Sequence, residues 1–113
     1  MTDFLFIFRR DENEIPKLSP EEMQADTQKW IDWISGIAAQ GKLNNRGNRL
    51  ERSGKVVRAN GMVTDGPFME LKEAIGGYIV VTTETIDEAV ELAKGCPVYG
   101  YGGNVEVRAI KTL

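Results

Sequence analysis

Two short stretches of the chain are apolar in both alternating registers. In residues 3–9, DFLFIFR, three phenylalanines occupy one register, and a leucine and an isoleucine occupy the other. Residues 78–83, YIVVTT, repeat the pattern with β-branched side chains. Because consecutive strand residues point to opposite faces of a sheet, both stretches predict central strands that carry apolar side chains on both faces.

A helix is predicted to follow the first strand, beginning at Ser19-Pro20-Glu21-Glu22. This sequence supplies an N-cap, a proline at the first helical position and a capping-box glutamate. Gly41 is placed to end the helix. Trp33 lies off the centre of the predicted inward stripe, so we expect it at an interface. The stripe has helical spacing and consists of Met23, Thr27, Trp30, Ile34, Ile37 and Ala38.

A second, shorter helix is predicted after residues 78–83. Thr85-Ile86-Asp87-Glu88 repeats the capping pattern, and Gly95 and Pro97 close the helix. A final strand is predicted from the alternation in residues 105–110, VEVRAI.

Three further segments have patterns of their own. Residues 43–50 are polar and contain glycine, which predicts a weak or edge strand. Residues 55–59 and 62–64 flank Asn60-Gly61, which predicts a hairpin whose two turn positions both take positive φ. Residues 97–104, PVYGYGGN, are predicted to form a glycine-rich loop, without the spacing and following helix of a phosphate-binding loop.

The order of these elements predicts an α+β fold, a ferredoxin-like sandwich built from two split strand–helix–strand units. Right-handed crossovers place both helices on one face of the sheet. The other face then exposes alternate side chains of residues 3–9 and 78–83, more apolar surface than a monomer normally leaves to water. We therefore expect a homodimer that packs through these open faces.

Length and charge narrow the class of protein. The 113 residues predict a single domain, residues 1–113, and the net charge of −3 argues against nucleic acid as a partner. The longest apolar run, residues 4–8, is too short to span a bilayer and has no cleavage site after it. We expect a cytoplasmic protein with no membrane partner.

The composition also restricts the chemistry. The chain has no histidine, which removes the commonest general base near neutral pH and the commonest transition-metal ligand. The single cysteine, Cys96, precedes Pro97 and is predicted to be buried and unreactive. Neither a metal site nor a cofactor is predicted, and reactions that need zinc, a thiol nucleophile or a dinucleotide fold are disfavoured.

Residues 63–78, VTDGPFMELKEAIGGY, resemble the signature of the YCII-related superfamily, specifically its DGPF-domain branch. The resemblance extends over nearly the whole chain, although the family's closing strand often reads VRP and Arg108 is followed here by Ala109. It implies a ferredoxin-like domain that dimerises into an α/β barrel.

The resemblance implies less about activity. The wider superfamily includes a dehydrochlorinase of a chlorinated hydroquinone that uses a His and Asp pair. This chain lacks histidine, so only the aspartate carries over, as Asp65. Family members are often encoded beside alternative sigma factors, which leaves a regulatory or stress-linked role open.

Asp65 is the candidate catalytic residue, either as a general base or as the anchor for a polar ligand. The alternative is that its carboxylate only stabilises the Asp-Gly-Pro turn. Lys72 is the nearest predicted counter-charge. Tyr78, Arg9 and Arg108 are candidate ligand-binding residues, although both arginines are more readily explained by pairing with a carboxylate.

Two functions therefore remain open. In the first, a small acidic or hydroxylated organic molecule binds in a cleft of the dimer beside Asp65, with or without carboxylate catalysis. This predicts a pocket against Asp65. In the second, the domain is a non-catalytic binding or regulatory module with a protein partner, and backbone donors satisfy Asp65. Whether the protein is an enzyme is left undecided by the sequence.

Overall fold

A computed structural model describes residues 1–11, 17–66 and 74–112 of the chain. Four strands form an antiparallel sheet in the order β2-β5-β1-β6, and two strands form a separate β3-β4 sheet. The element order and sheet topology agree with the predicted ferredoxin-like arrangement. The elements are β1 (Thr2–Arg10), α1 (Pro20–Ala39), β2 (Leu43–Arg49), β3 (Gly54–Val57), β4 (Val63–Gly66), β5 (Ala74–Thr83), α2 (Ile86–Ala93) and β6 (Asn104–Ala109).

Both helices pack on the same face of the four-stranded sheet. Phe4, Phe6 and Phe8 of β1 point into this helix-covered face and are buried. They contact aromatic and aliphatic side chains of both helices, so the predicted placement of the helices is confirmed. The molecule is 18 Å thick along its shortest axis, as expected for one layer of helices on one sheet.

Helix α1 begins as predicted, and its inward stripe is confirmed in part, because Trp30, Ile34 and Ile37 pack in the core. Ser19 accepts a hydrogen bond from the Glu22 amide at 3.1 Å, and the Glu22 side chain completes the capping box. Trp33 belongs to the core: its ring lies 6.4 Å from Phe6, and its indole N–H donates to the Leu92 carbonyl at 3.0 Å. Trp33 therefore belongs to the inward side of α1 from which it was excluded, and its contact at an interface stays a prediction. Met23, Thr27 and Ala38, which were predicted to face inward, are exposed.

Strand β5 begins earlier than predicted. It starts at Ala74, so Gly76 and Gly77 lie inside the strand. Phe8 pairs with Gly77 and Arg9 pairs with Ile75, which leaves Gly76 as the extra residue of a β-bulge. A Cβ at Gly77 would lie 2.8 Å from the Asn48 carbonyl oxygen, so glycine permits a close approach of β2.

Strand β2 is an edge strand, as predicted, with two irregularities in its pairing with β5. Gly47 has a φ of +60°, and a Cβ there would lie 1.7 Å from the Tyr78 carbonyl oxygen. The glycine is therefore required both by its backbone conformation and by the proximity of β5.

The hairpin of β3 and β4 is confirmed, but its turn is not the predicted two-residue type. Arg58 pairs with Met62, and the Gly61 amide donates to the Arg58 carbonyl at 2.9 Å. Of the turn residues only Gly61 has positive φ, so the loop contains three residues, Ala59 to Gly61. The extra loop residue shifts the register by one and brings Lys55 opposite Asp65.

The segment after α2 is also more regular than predicted. Residues Pro97–Tyr101 form a 3₁₀ helix where the sequence predicts a loop, and it ends at Gly102 with a φ of +72°. Within the described part of the chain, no helix combines the length and apolar character needed to cross a bilayer.

Candidate functional site

The face of the four-stranded sheet opposite the helices holds most of the predicted site residues. We call it the open face. Its central residues are Leu5 and Ile7 of β1 and Tyr78 and Val80 of β5, which are half-buried by one another in the monomer. Both central strands contribute because their alternate residues must point away from the helices.

Tyr78 is held in position by the edge strand. It lies opposite Ile7 on one side and Asn48 on the other. The Asn48 side-chain amide donates to the Tyr78 hydroxyl at 3.2 Å. The hydroxyl therefore has an oriented position at one side of the aliphatic patch, where its own proton is available for donation.

Arg9 and Arg108 share a carboxylate on the opposite side of the same patch. Arg9 Nε donates to Glu106 Oε1 at 3.1 Å, and Arg108 donates to Glu106 Oε2 at 3.3 Å. Hydrogen bonds from Arg9 and then Arg108 hold the pKa of Glu106 below its ordinary value of 4.5. Of the two explanations that the sequence allowed for these arginines, the structure shows carboxylate pairing.

A second polar group lies at the far end of the open face. The Thr82 hydroxyl donates to the Asp3 carboxylate, and the Asn44 side-chain amide contacts both side chains at 3.3 Å. The aliphatic patch is thus bordered by hydrogen-bonded polar groups at both ends of the strands, a distribution found in sites for small amphipathic molecules.

Asp65 lies away from these residues, in β4 of the separate two-stranded sheet. Lys55 Nζ lies 2.6 Å from Asp65 Oδ1, and 88% of the Asp65 side chain is exposed. The described partner of Asp65 is thus a lysine side chain, where the scaffold interpretation expected backbone donors. Lys72, the predicted counter-charge, lies outside the described residues, together with Pro67 and Phe68.

The structure therefore unites three of the five predicted site residues. Arg9, Arg108 and Tyr78 share the open face, while Asp65 occupies a different sheet. The partners of the predicted residues were not predicted from the sequence; they are Glu106, Asn48 and Lys55. The alternation of residues in β6 indicated on which face of the sheet Glu106 lies. Only the pairing of Ile7 with Glu106 across the two strands places its side chain beside Arg9.

The helix side of the molecule contains two further features that the prediction addressed. Cys96 is buried, and desolvation raises the pKa of its thiol to about 12, which is unsuitable for a nucleophile. A groove of about 280 Å³ lies between α1 and α2, with Trp33, Gly36 and Leu92 among its lining residues. None of the predicted site residues lines this groove, so the expected pocket against Asp65 is not this one.

Comparisons with known proteins place the chain in a family. A similar solved structure is that of 5-chloro-2-hydroxyhydroquinone dehydrochlorinase from Burkholderia phenoliruptrix AC1100, in complex with 2,5-dihydroxybenzoquinone. The two chains are 16% identical, the match covers 95% of this chain and 93% of the other, and the TM-score is 0.39. Among curated proteins no significant match is found. The model of the YCII-related domain matches residues 2–113. The match spans essentially the whole chain, and the protein therefore belongs to the YCII-related family.

Proposed function

We propose that the protein is a homodimer that binds a small polar organic molecule at the open face of the sheet. The observation that carries the proposal is the arrangement of Tyr78 and the Arg9–Glu106–Arg108 group on either side of Ile7. An aliphatic floor with a phenol on one side and guanidinium groups on the other suits a flat molecule that bears both a hydroxyl and a carboxylate.

The homodimer is supported by the same face. Leu5, Ile7 and Val80 form an apolar strip on the side of the sheet that the described helices do not cover. Two such strips packed against each other remove apolar area from water, and a two-fold dimer needs only one self-complementary surface. The ligand then occupies the border of the dimer contact, where the polar side chains begin.

For Asp65, which lies in the separate β3–β4 sheet, we propose a second role as an anchor for a ligand hydroxyl or as a general base. Its Oδ1 atom accepts from Lys55, and its other carboxylate oxygen has no partner within the described residues. The second oxygen can accept a hydrogen bond from a ligand hydroxyl. The proposal therefore favours binding or base catalysis over acid catalysis.

The alternative function is a non-catalytic module that contacts a protein partner. The exposure of Asp65 and its pairing with Lys55 favour this alternative, because an exposed ion pair needs no ligand. It predicts that substitution of Tyr78 or Arg108 changes no small-molecule affinity.

Ligand-dependent thermal stabilisation tests the proposal. The probes are benzoate, 4-hydroxybenzoate and hydroquinone, with methyl 4-hydroxybenzoate as the uncharged control. We expect 4-hydroxybenzoate to raise the melting temperature most, since a ligand that binds only the native state stabilises it. The increase is expected to shrink in Tyr78→Phe and Arg108→Met and to persist in Lys94→Met, a control at the end of α2. Equal melting temperatures with all four probes would contradict the proposal.

A further inference from the structure

Glu106 places a carboxylate of the chain itself on the open face. Both of its oxygens are engaged: Oε1 accepts from Arg9 Nε at 3.1 Å, and Oε2 accepts from Arg108 Nη1 at 3.3 Å. Guanidinium groups that converge on one carboxylate are also the donors with which a protein binds the carboxylate of a ligand. Glu106 therefore occupies donors that the carboxylate of the proposed ligand needs.

The two arginines hold Glu106 to different extents. The Arg9 side chain is 19% exposed and comes from the neighbouring strand β1, whereas the Arg108 side chain is 69% exposed and lies two residues from Glu106 on β6. Within the described residues, Glu106 is the ion-pair partner of Arg108. An exposed ion pair with a single hydrogen bond contributes little stability, because water and salt screen it. Arg108 is therefore the guanidinium that a ligand can take from Glu106.

The strand register puts both charged groups beside the aliphatic floor of the open face. Arg108 pairs with Leu5, and Glu106 pairs with Ile7. Residues two apart on a strand share a face and lie about 7 Å apart along it. A ligand ring that rests on Leu5 and Ile7 thus meets both groups along one edge. Any anionic group that reaches Arg108 also approaches Glu106.

The charges of this group limit what it can bind. Two guanidinium groups and one ionised carboxylate leave a net charge of +1 on Arg9, Glu106 and Arg108. One carboxylate of a ligand brings the sum to zero. A second carboxylate leaves an excess negative charge close to Glu106, and like charges at short range repel each other where water is partly excluded.

We propose that Glu106 sets the ligand specificity of the open-face site. Its carboxylate competes with the anionic group of the ligand for Arg108, and it restricts the site to molecules with a single carboxylate or sulfonate. The hydroxyl of the same molecule meets Tyr78 on the other side of the floor. The inference rests on the function proposed above, because it names the charge class of that ligand and the residue that selects it.

Dissociation constants of matched variants test the competition. They are measured at pH 7 by NMR titration with 4-hydroxybenzoate, a monoanion, and 4-hydroxyphthalate, a dianion. Glu106→Gln removes the charge and keeps the size of the side chain. It is expected to tighten binding of the monoanion by about 3- to 10-fold and that of the dianion by about 5-fold more. Glu88→Gln is the control and should change neither constant, since Glu88 pairs with Lys42 at 3.1 Å and its exposure of 33% is close to the 35% of Glu106.

A second substitution separates competition for Arg108 from a general change in charge. In Arg108→Met the contested guanidinium is absent, so adding Glu106→Gln is expected to tighten the monoanion by about 2-fold or less. An equal gain with and without Arg108 would show that Glu106 acts only through the overall field of the protein, and would contradict the competition.

Acid titration of the wild-type protein tests the competition without a substitution at Glu106. The probe is 4-hydroxybenzenesulfonate, which stays ionised in acid. Within the described residues, the charged groups that face Glu106 are Arg9 and Arg108, and their hydrogen bonds hold its pKa below the ordinary value of 4.5. Protonation releases Arg108, so the affinity is expected to rise as the pH falls through that lowered value.

Asp3→Asn is the control for the acid titration. Asp3 is the other described carboxylate of the open face, bonded to Thr82 and Asn44, and its substitution is expected to leave the rise in affinity in place. The acid titration carries the test even if Glu106→Gln alters the circular dichroism. An affinity that stays constant or falls toward acid pH contradicts the inference.

The outcomes separate this inference from the proposed function. Saturable binding with equal constants in the wild type and Glu106→Gln would leave the site in place and show that Glu106 does not compete. Weaker binding in Glu106→Gln would mean that Glu106 holds the arginines in position for the ligand, which also overturns the inference. The absence of saturable shifts on the open face in both proteins, with every probe, would contradict the proposed function itself.

Discussion

The two faces of the four-stranded sheet are built from the same strands and have opposite characters. On the helix-covered face, Phe6 is completely buried and Phe8 packs edge-on against Trp30 with the ring centres 4.9 Å apart. On the open face, Ile7 lies between Tyr78 and Glu106. Both of these side chains are hydrogen-bonded, Tyr78 to Asn48 and Glu106 to Arg9. The alternation within β1 and β5 thus separates the residues that hold the fold from those available for binding.

The difference between the two faces of the sheet allows the chain to place polar groups close to its core. An arginine on the helix-covered face would have to be desolvated at a cost of several kcal/mol. Arg9 lies one residue after Phe8 in the chain, but on the other side of the sheet, where Glu106 and water can reach it. Period-two alternation therefore lets neighbouring residues serve stability and recognition separately.

The largest predicted difference between the faces is in folding stability. Phe6→Ala is expected to lower the unfolding free energy by about 3–5 kcal/mol, because it opens a cavity in the covered layer. Leu5→Ala, on the open face, should cost about 1–2 kcal/mol at low protein concentration and, for the proposed dimer, more at high concentration. Urea unfolding at two concentrations measures both. Equal and concentration-independent losses would show that the faces do not differ as described.

The next effect concerns the edge strand that positions Asn48 beside Tyr78. Gly47→Ala is expected to cost about 2–4 kcal/mol, because the new Cβ combines left-handed strain with a clash against the β5 backbone. Gly61→Ala is the matched control, with a φ of +83° and no heavy atom within 4 Å. It should cost only about 1–2 kcal/mol in the same urea experiment. Equal losses of unfolding free energy in Gly47→Ala and Gly61→Ala would mean that β2 does not approach β5 so closely.

Much of the fold was predictable because it depends on local patterns. The capping box of α1, the two central strands and the hairpin follow from residue types at fixed spacing. The inward stripe of α1 was partly wrong because amphipathic spacing does not show which turns of a helix reach the core, and Met23 lies before Trp30, where the packed residues of α1 begin. The turn of the hairpin differed because Asn60 takes negative φ, which lengthened the loop by one residue.

The site was less predictable because it depends on register. Residue types identified Arg9, Arg108 and Tyr78 as polar groups near the central strands, but their partners come from β6 and β2. Whether Glu106 falls beside Arg9 is decided by the pairing of strands almost 100 residues apart in sequence. Asp65 illustrates the same point: a one-residue change in loop length gives it Lys55 as its cross-strand neighbour.

A smaller effect is predicted for the pH dependence of stability. The folded-state pKa of Glu106 is lowered from 4.5, so its ionised form stabilises the native state above that pH, and the stabilisation is lost as the pH falls through the lowered pKa. Glu106→Gln should therefore lower the melting temperature at pH 7, and this difference should shrink as the pH falls through the lowered pKa of Glu106. Glu84→Gln controls for the loss of one charge on an exposed segment. A difference that does not shrink at all as the pH is lowered from 7 into the acid range would argue against the Arg9–Glu106–Arg108 group.

The smallest effect is expected at Asp65. Asp65→Asn removes one member of an exposed ion pair, so the unfolding free energy should change by no more than about 0.5 kcal/mol. Lys55→Met removes the other member of the ion pair and should change the unfolding free energy by a similarly small amount. A loss above about 2 kcal/mol at Asp65 alone would support the interpretation that its carboxylate holds the turn, and would weaken its assignment to the site.

An NMR titration of the ¹⁵N-labelled protein with 4-hydroxybenzoate at pH 7 tests binding at the open face most directly. The proposed site predicts saturable shifts at the amides of Arg9, Tyr78 and Glu106, smaller shifts at Asp65, and none at Ile37, the buried residue of α1. Methyl 4-hydroxybenzoate should produce markedly weaker shifts, because it lacks the carboxylate that the arginines would bind. Shifts confined to the groove at Trp33 and Leu92, or no saturable shifts at millimolar concentration, would contradict a small-molecule site on the open face.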